Sequence, residues 1–207
     1  RDVLRETLKR RGTGEPLQYI SGEAAFRHIV VKTSRGVLIP RPETEVLVDV
    51  VLEGLADVEA PCVLEVGCGT GCIACSLARE AGTQVVATDV SSAAVACARA
   101  NVEMRGLEEL VEIVECDCVE GVEGAFDCLV SNPPYIPTAE LAELPHEVTG
   151  FEPSLALDGG ADGLVFFDRL VAEALPLVKD GGLFACELHE TCLDEAARRL
   201  REAGCID

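Results

Sequence analysis

The sequence has few aromatic residues, few cations and no long apolar stretch. None of its 207 residues is tryptophan, and 17 Lys and Arg stand against 37 Asp and Glu, a net charge of −20. A partner held through its phosphate backbone requires a surface rich in Lys and Arg, so this charge speaks against nucleic acid. No apolar run approaches the roughly 18 residues of a membrane span, which predicts no membrane association. An apolar fraction of 48% predicts a buried core rather than disorder.

The cysteines follow no disulfide or metal pattern. There are eleven, an odd number, and they fall within predicted strands and helices, where free cysteine behaves as a small apolar residue. Cys72 and Cys75 have C-x-x-C spacing, but no second Cys or His pair is suitably placed for zinc. The sequence therefore predicts no metal site, and a reducing cytoplasm is the compartment that fits this cysteine usage.

Residues 26–60 predict a hairpin followed by a helix. Ile29–Val31 and Val37–Ile39 are apolar runs separated by the turn residues 34–36, which is typical of two antiparallel strands. Pro42 suits the first turn of a helix. The apolar stripe of that helix is predicted to comprise Val46, Leu47, Val50, Val51 and Leu55.

After Pro61 strands and helices alternate. The predicted strands are Cys62–Val66, Gln84–Thr88, Val111–Glu115, Phe126–Ser131 and Leu183–Leu188. The predicted helices cover residues 71–81, 92–105, 163–178 and 191–203. This order predicts an α/β fold, an open parallel sheet with helices on both faces and right-handed crossovers.

A glycine-rich loop closes the first of these strands and opens a helix. Its candidate binding residues are Glu65, Gly67, Cys68, Gly69, Thr70 and Gly71. Glycines allow a tight turn close to a ligand, and the helix N-terminus presents free N–H groups to an anion. A dinucleotide fingerprint would have glycine at position 72, where this chain has cysteine, so a nicotinamide dehydrogenase is disfavoured. The G-x-G-x-G form after Glu65 resembles the S-adenosylmethionine loop of Rossmann-like methyltransferases.

Two aspartates follow the next two strands. Asp89 ends the second strand, where a carboxylate can accept the hydroxyls of a ribose. Its alternative role is to cap the helix beginning near Ser92, which Ser91 could do equally well. Asp117 ends the third strand and matches the methyltransferase position near the adenine amino group. A solvated carboxylate at the end of a strand is the alternative there.

The tetrapeptide Asn132-Pro133-Pro134-Tyr135 follows the fourth strand, at the sheet edge where α/β proteins bind ligands. The two prolines have fixed φ and no N–H, so the loop is stiff and its carbonyl groups lack local donors. Asn132 adds an amide oxygen and Tyr135 an aromatic face. Such a loop is suited to holding a planar –NH2 group by accepting both of its hydrogens.

In this order, the glycine loop, the two aspartates and the Asn-Pro-Pro-Tyr loop resemble amino-group methyltransferases of DNA and protein. Three further stretches, Gly14–Ile20, Ile39–Glu45 and Phe151–Leu164, resemble the HemK-like (PrmC) family. The resemblance implies a Rossmann-like class I fold with S-adenosyl-L-methionine as cofactor. It also implies methylation of the glutamine side chain in the Gly-Gly-Gln motif of class-one peptide chain release factors, which would be the protein partner.

The resemblance assigns roles to the loop residues. Asn132 Oδ1 and the carbonyl of Pro133 would accept the two N–H bonds of the substrate amide, and Tyr135 would pack on the amide plane. Pro134 completes this substrate-binding loop. The cofactor would be held by residues 65–71 together with Asp89, Asp117, Cys118 and Asn132. Many relatives have an aromatic residue at the position of Cys118, which stacks less well. The stretch Arg41–Glu45 is either a lid over the cofactor or a helix cap.

Family comparison also predicts the domain boundaries. Residues 1–20 would be the tail of an N-terminal helical domain, 21–40 a linking hairpin, and 41–207 a catalytic domain without its terminal antiparallel hairpin. Arg1, Arg5, Lys9, Arg10 and Arg11 form the only obvious basic patch. Two alternatives stay open: a nucleic-acid amino methyltransferase acting on a flipped base, and an inactive fragment that only binds the cofactor.

Overall fold

A computed structural model describes residues 2–206. The strands are β1 (Glu23–Phe26), β2 (Ile29–Lys32), β3 (Cys62–Val66), β4 (Gln84–Asp89), β5 (Val111–Glu115), β6 (Phe126–Ser131) and β7 (Val178–Cys186). The first two form an antiparallel hairpin, and the other five form a parallel sheet in the order β5-β4-β3-β6-β7. The predicted α/β fold is confirmed.

The strand order places a crevice beside β3. The chain passes from β3 outward through β4 to β5, then returns to the other side of β3 with β6. Leu64 of β3 pairs with Val86 of β4 on one side and with Leu129 of β6 on the other. Open α/β sheets bind ligands where the strand order reverses, at the carboxyl ends of the strands. Both predicted ligand loops leave the sheet at this reversal, since one follows β3 and the other follows β6.

Helices cover both faces of the sheet. They are α1 (Asp2–Gly12), α2 (Leu17–Ser21), α3 (Thr44–Gly54), α4 (Cys72–Ala81), α5 (Ser92–Glu103), α6 (His146–Thr149), α7 (Val165–Arg169) and α8 (Leu193–Glu202). Successive residues of β3 point to opposite sides, so Val63 packs with α3, α4 and α5 while Leu64 packs with Leu170 and Ala174. Full burial of a residue such as Leu64 contributes about 1.5–3 kcal/mol. No helix within residues 2–206 has the length and apolarity that crossing a membrane requires.

The predicted position of the hairpin is wrong. The turn lies at residues 27–28, and Val37–Ile39 forms no strand. Arg27 fixes the turn: its φ is 48°, its N–H donates to Glu45, and its guanidinium binds Glu80 and Asp49. Val37 is buried, with only 1% of its surface exposed, and burial explains why the position is apolar. Its carbonyl accepts a hydrogen bond from the Tyr19 hydroxyl. Its pattern therefore reflects packing rather than strand pairing.

The predicted stripe of α3 is also partly wrong. Leu47, Val48 and Val51 are its buried apolar residues, whereas Val46 is 62% and Val50 46% exposed. The helix begins at Thr44, so Val46 and Val50 lie one turn apart on a side that faces away from the core.

The segment before the last strand is less regular than predicted. In place of one helix over 163–178, α7 is followed by a π turn (Leu170–Ala174) and a 3-10 turn (Leu175–Leu177). Pro176 lacks the N–H that would continue a helix. The strand then begins at Val178 rather than Leu183 and ends at Cys186, with a register shift against β6 near Phe126. The other predicted strands and helices agree within three residues at each end.

Candidate active site

A cavity of about 300 Å³ opens at the carboxyl ends of β3, β4 and β6. Most of the predicted site residues line it, namely Glu65, Gly67, Cys68, Gly69, Thr70, Asp89, Asp117, Cys118, Asn132 and Pro134. Gly71, Pro133 and Tyr135 are not among its lining residues. The glycine loop and the diproline loop therefore face one shared space, although they are far apart in the sequence.

The glycines of the loop have different functions. Gly67, Gly69 and Gly71 all have positive φ, between 56° and 77°. A Cβ on Gly71 would meet the Cβ of Ala98 at 3.1 Å, so this glycine allows α4 and α5 to approach each other. A Cβ on Gly67 or Gly69 would meet no protein atom within 4 Å. These two positions leave open space beside the cavity.

Glu65 is buried beneath this loop. Its Oε2 accepts the N–H of Ala74 at 2.9 Å, and its Oε1 has no hydrogen-bond partner among the described residues. Burial raises the pKa of the carboxyl to about 8 from its ordinary 4.5. Between these values the folded chain keeps a proton that the unfolded chain has lost. The protonated Glu65 carboxyl therefore contributes to the free energy of unfolding. That contribution is complete below about pH 4.5 and is lost as the pH rises to about 8.

Glu65→Gln should remove this pH dependence. Thermal unfolding is measured without cofactor at a series of pH values. Between about pH 5 and about pH 8, we expect the free energy of unfolding of the wild type to fall relative to that of Glu65→Gln, by at most about 1.4 kcal/mol per pH unit. Comparing the two chains at each pH cancels titrations that they share. Parallel stability profiles would show that Glu65 titrates at its ordinary pKa.

Asp89 joins the glycine loop to β4. Its Oδ2 accepts the N–H of Gly69 and its Oδ1 the N–H of Ser91, both at 2.9 Å. Burial raises its pKa. The cap of α5 is Ser91, whose hydroxyl accepts the N–H of Ala94. Asp89 therefore does not cap this helix, and its oxygens keep further lone pairs toward the cavity.

Asp117 and Cys118 form another part of the wall. The Arg169 guanidinium, 2.8 Å from Asp117, holds the pKa of that carboxyl below its usual range. Cys118 is buried with φ 52°, and its carbonyl accepts the Thr88 hydroxyl at 2.7 Å. Burial raises the pKa of its thiol to about 11, so the side chain is neutral and apolar. Phe166 of α7, which no sequence pattern singles out, lines the same cavity and supplies an aromatic ring there.

The diproline loop leaves its oxygens free. Asn132 Nδ2 donates to Thr44 Oγ1 at 3.0 Å. Within residues 2–206, no protein donor reaches Asn132 Oδ1 or the carbonyl of Pro133. The Tyr135 hydroxyl donates to Glu187 at 3.3 Å, and burial followed by the charge of Glu187 raises the pKa of Tyr135 to about 12. The loop thus offers two acceptors and a neutral phenol.

A second segment holds this loop in place. The N–H of Ile136 donates to Leu157 at 3.0 Å, and that of Gly159 donates back to Ile136 at 2.8 Å. A Cβ on Gly163 would lie 2.5 Å from the Tyr135 carbonyl oxygen, and one on Gly159 would lie 2.7 Å from the Tyr135 Cα. Only glycine allows the two backbones to approach this closely.

The stretch Arg41–Glu45 lies at the start of α3 and beside the cavity, and its Glu43 makes no side-chain cap hydrogen bond to the helix. Thr44 begins α3, and both Arg41 and Thr44 line the cavity. Arg41 pairs with the buried Glu152 at 2.5 Å, which joins this stretch to the segment before Pro153. The stretch therefore starts a helix and also forms part of the cavity wall.

The cysteines around the cavity are protonated thiols. All eleven cysteines are free, and burial raises the pKa of Cys68 and of Cys72, which line the cavity, well above the ordinary value. A thiol needs a depressed pKa to react readily. Across residues 2–206, no group of three or more His, Cys, Asp or Glu side chains could hold a metal ion.

Comparison with known proteins identifies the family. The Methyltransferase small domain family matches residues 42–146. The release factor glutamine methyltransferase of Chlorobaculum tepidum is 41% identical over 199 residues, covering 91% of this chain and 67% of that protein. The corresponding protein of Caulobacter vibrioides is 41% identical over 207 residues, covering 99% of this chain and 72% of that protein. The chain belongs to the release factor glutamine methyltransferase family.

Solved structures show that this family member has the class I methyltransferase fold. The hMettl16 catalytic domain in complex with the MAT2A 3'UTR hairpin 1 superimposes with a TM-score of 0.65 at 17% identity, over 90% of this chain and 78% of that one. The N-terminal domain of human METTL16 in complex with SAH gives 0.57 at 22% identity, over 83% and 65%. At such identities the likeness concerns the fold alone.

Proposed function

We propose that this chain transfers a methyl group from S-adenosylmethionine to the side-chain amide nitrogen of the glutamine in the Gly-Gly-Gln motif of class-one release factors. One observation carries the proposal. A glycine loop with open space beside it lines the same cavity as Asn132 and Pro134, which belong to a rigid loop with two free acceptor oxygens. The names of the relatives, release factor glutamine methyltransferases, agree with it.

The residues at the glycine loop fit S-adenosylmethionine. Gly67 and Gly69 leave space that a side chain would fill, and Glu65 Oε1 and Thr70 Oγ1 are buried without a partner among the described residues. A cationic amino group near Glu65 would lower its pKa and satisfy that oxygen. We assign the ribose to Asp89, and the adenine to the wall formed by Asp117, Cys118 and Phe166. When bound, the cofactor supplies an electrophilic methyl group.

The diproline loop would hold the other reactant. An amide nitrogen is a poor nucleophile because its lone pair is delocalised into the carbonyl. Asn132 Oδ1 and the Pro133 carbonyl would accept both N–H bonds, which fixes the nitrogen and favours the positive charge it develops. Tyr135 would pack on the amide plane. The nitrogen loses its proton to water after it gains the methyl group, so no side chain needs to act as a base beforehand.

A nucleic-acid amino group could in principle use the same loop. The net charge of −20 disfavours a phosphate backbone, and within the described residues the cavity's two arginines each pair with a carboxylate: Arg41 with Glu152 and Arg169 with Asp117. Incubation with labelled S-adenosylmethionine and equal amounts of release factor, RNA or DNA distinguishes the substrates. We expect label in the release factor; label in RNA or DNA alone would overturn the proposal.

We also propose the domain boundaries predicted above: the tail of an N-terminal helical domain over 1–20, a linking hairpin over 21–40 and the methyltransferase catalytic domain over 41–207. Supporting this, no described residue of α1 is buried, and its apolar Val3, Leu4 and Leu8 are exposed. Of the basic patch, Arg10 pairs with Glu15 at 2.6 Å and Arg11 with Glu147 at 2.7 Å. Arg1 and Asp207 lie outside the described residues.

A further inference from the structure

Thr44 is in direct contact with the amide of Asn132. Its hydroxyl oxygen accepts the Asn132 Nδ2–H at 3.0 Å, and the two residues are 88 positions apart in the chain. Thr44 is 3% exposed, and both residues line the cavity. Among the described residues, Thr44 is the only side chain that binds the Asn132 amide.

The Thr44 hydroxyl is held on a rigid support. Thr44 is the first residue of α3, and its N–H donates to the Arg41 carbonyl at 3.2 Å. Leu47, Val48 and Val51 anchor the helix in the core and are at most 8% exposed. A β-branched side chain has restricted χ1 rotation, and burial restricts the movement of this hydroxyl further. The Asn132 amide therefore contacts an acceptor whose movement is restricted.

In the structure this contact occupies the donor end of the amide. A carboxamide has a donor end and an acceptor end, and rotation by half a turn exchanges them. With Nδ2 bound to Thr44, the oxygen is the end left for a ligand. The opposite orientation would present N–H groups to the substrate –NH2, and two donors cannot form a hydrogen bond.

We infer that Thr44 is a positioning residue for the proposed reaction: it binds Asn132 Nδ2 and thereby directs Asn132 Oδ1 at the substrate amide. The inference rests on the proposed function, because it assumes that the substrate group has N–H bonds to donate. Thr44 acts only through Asn132, and its contribution should be large for turnover and small for cofactor binding.

Valine and serine substitutions separate the hydroxyl from the shape of the side chain. Thr44→Val removes the acceptor with little change in volume and is expected to lower kcat for release-factor methylation about 10-fold, the loss of one positioning hydrogen bond. Thr44→Ser keeps the hydroxyl and should restore most of that loss. Cofactor affinity, measured by calorimetry, should stay within a few-fold in both variants.

Thr33→Val is the matched control. Thr33 is also buried, its hydroxyl has no partner among the described residues, and it does not line the cavity. Thr33→Val removes a buried threonine hydroxyl that lies outside the cavity wall, and it should leave kcat close to the wild-type value. An equal loss in Thr33→Val and Thr44→Val would overturn the inference, because the effect would then be general destabilisation.

A spectroscopic readout independent of activity tests the contact itself. The Asn132 side-chain amide, assigned by its absence in Asn132→Ala, should show a hydrogen-bonded proton in ¹⁵N spectra of the wild type and of Thr44→Ser. That proton should shift upfield in Thr44→Val. Unchanged spectra and unchanged kcat in Thr44→Val, with an active wild type, would overturn this inference alone. A wild type that methylates no release factor would instead overturn the proposed function.

Discussion

Replacing Asn132 with alanine is expected to reduce methylation of the release factor by at least about 100-fold, while the affinity for S-adenosylmethionine changes only a few-fold. The reason is geometric: Asn132 lines the cavity, and its Oδ1 is one of two free acceptors that could hold the substrate amide. Without this oxygen the substrate amide can rotate, and the positive charge that develops on its nitrogen loses a hydrogen-bond acceptor that stabilises it. Single-turnover rates at saturating cofactor, compared with calorimetric titration of the cofactor, measure both quantities.

Asn132→Asp is the companion variant. It keeps the shape of the side chain and an acceptor oxygen, and should therefore retain more activity than Asn132→Ala. Thermal unfolding of both variants establishes that the fold is preserved. If Asn132→Ala lost cofactor binding and methyl transfer to the same extent, Asn132 would contribute to the cofactor site only.

Gly163→Ala should have the second-largest effect. The new Cβ would stand 2.5 Å from the Tyr135 carbonyl oxygen, a contact that real structures do not show, so the diproline loop must move. A displacement of about 1 Å near a reacting group costs on the order of 100-fold in rate. We expect a loss of that order in initial rate. Crystallography or NMR of the variant should show Tyr135 displaced.

Gly121→Ala isolates the backbone part of this effect. Gly121 has φ 75°, close to the 78° of Gly163, but a Cβ there would meet no atom within 4 Å. Both variants place alanine in a left-handed conformation, at a cost of about 1–2 kcal/mol each. Only Gly163→Ala should lose activity. Equal activity losses in the two variants would refute the idea that residues 157–163 hold the diproline loop.

Much of the fold could be predicted because its signals are local. The strands Cys62–Val66 and Phe126–Ser131 are short apolar runs, and alternation with helices implies a parallel sheet. The sequence misplaces the hairpin because the buried residues Val37 and Ile39 give 37–39 the apolar pattern of a strand. The sequence predicts too short a last strand because Asp180-Gly181-Gly182 is typical of a turn; in the structure these residues form an irregularity within β7, between the pairs Phe126–Val178 and Cys128–Leu183.

The ligand loops could be predicted for the same reason, and their supports could not. The glycine loop and Asn132–Tyr135 have distinctive residues at the ends of strands. Thr44 acquires its proposed role only through a contact across 88 positions, for which no local pattern exists. Phe166 lies in a helix whose apolar residues are otherwise typical of a core. Residues that hold other residues in place are visible only in three dimensions.

The most direct test is to locate the methyl group on the product. The full chain is incubated with S-adenosylmethionine and a release factor, and the peptide containing Gly-Gly-Gln is sequenced by fragmentation mass spectrometry. If Asn132 and Pro133 hold the substrate carboxamide, we expect one added methyl group on the glutamine side-chain nitrogen and none on a peptide in which glutamate replaces that glutamine. A methyl group on any other residue, or transfer to the glutamate peptide, would contradict it.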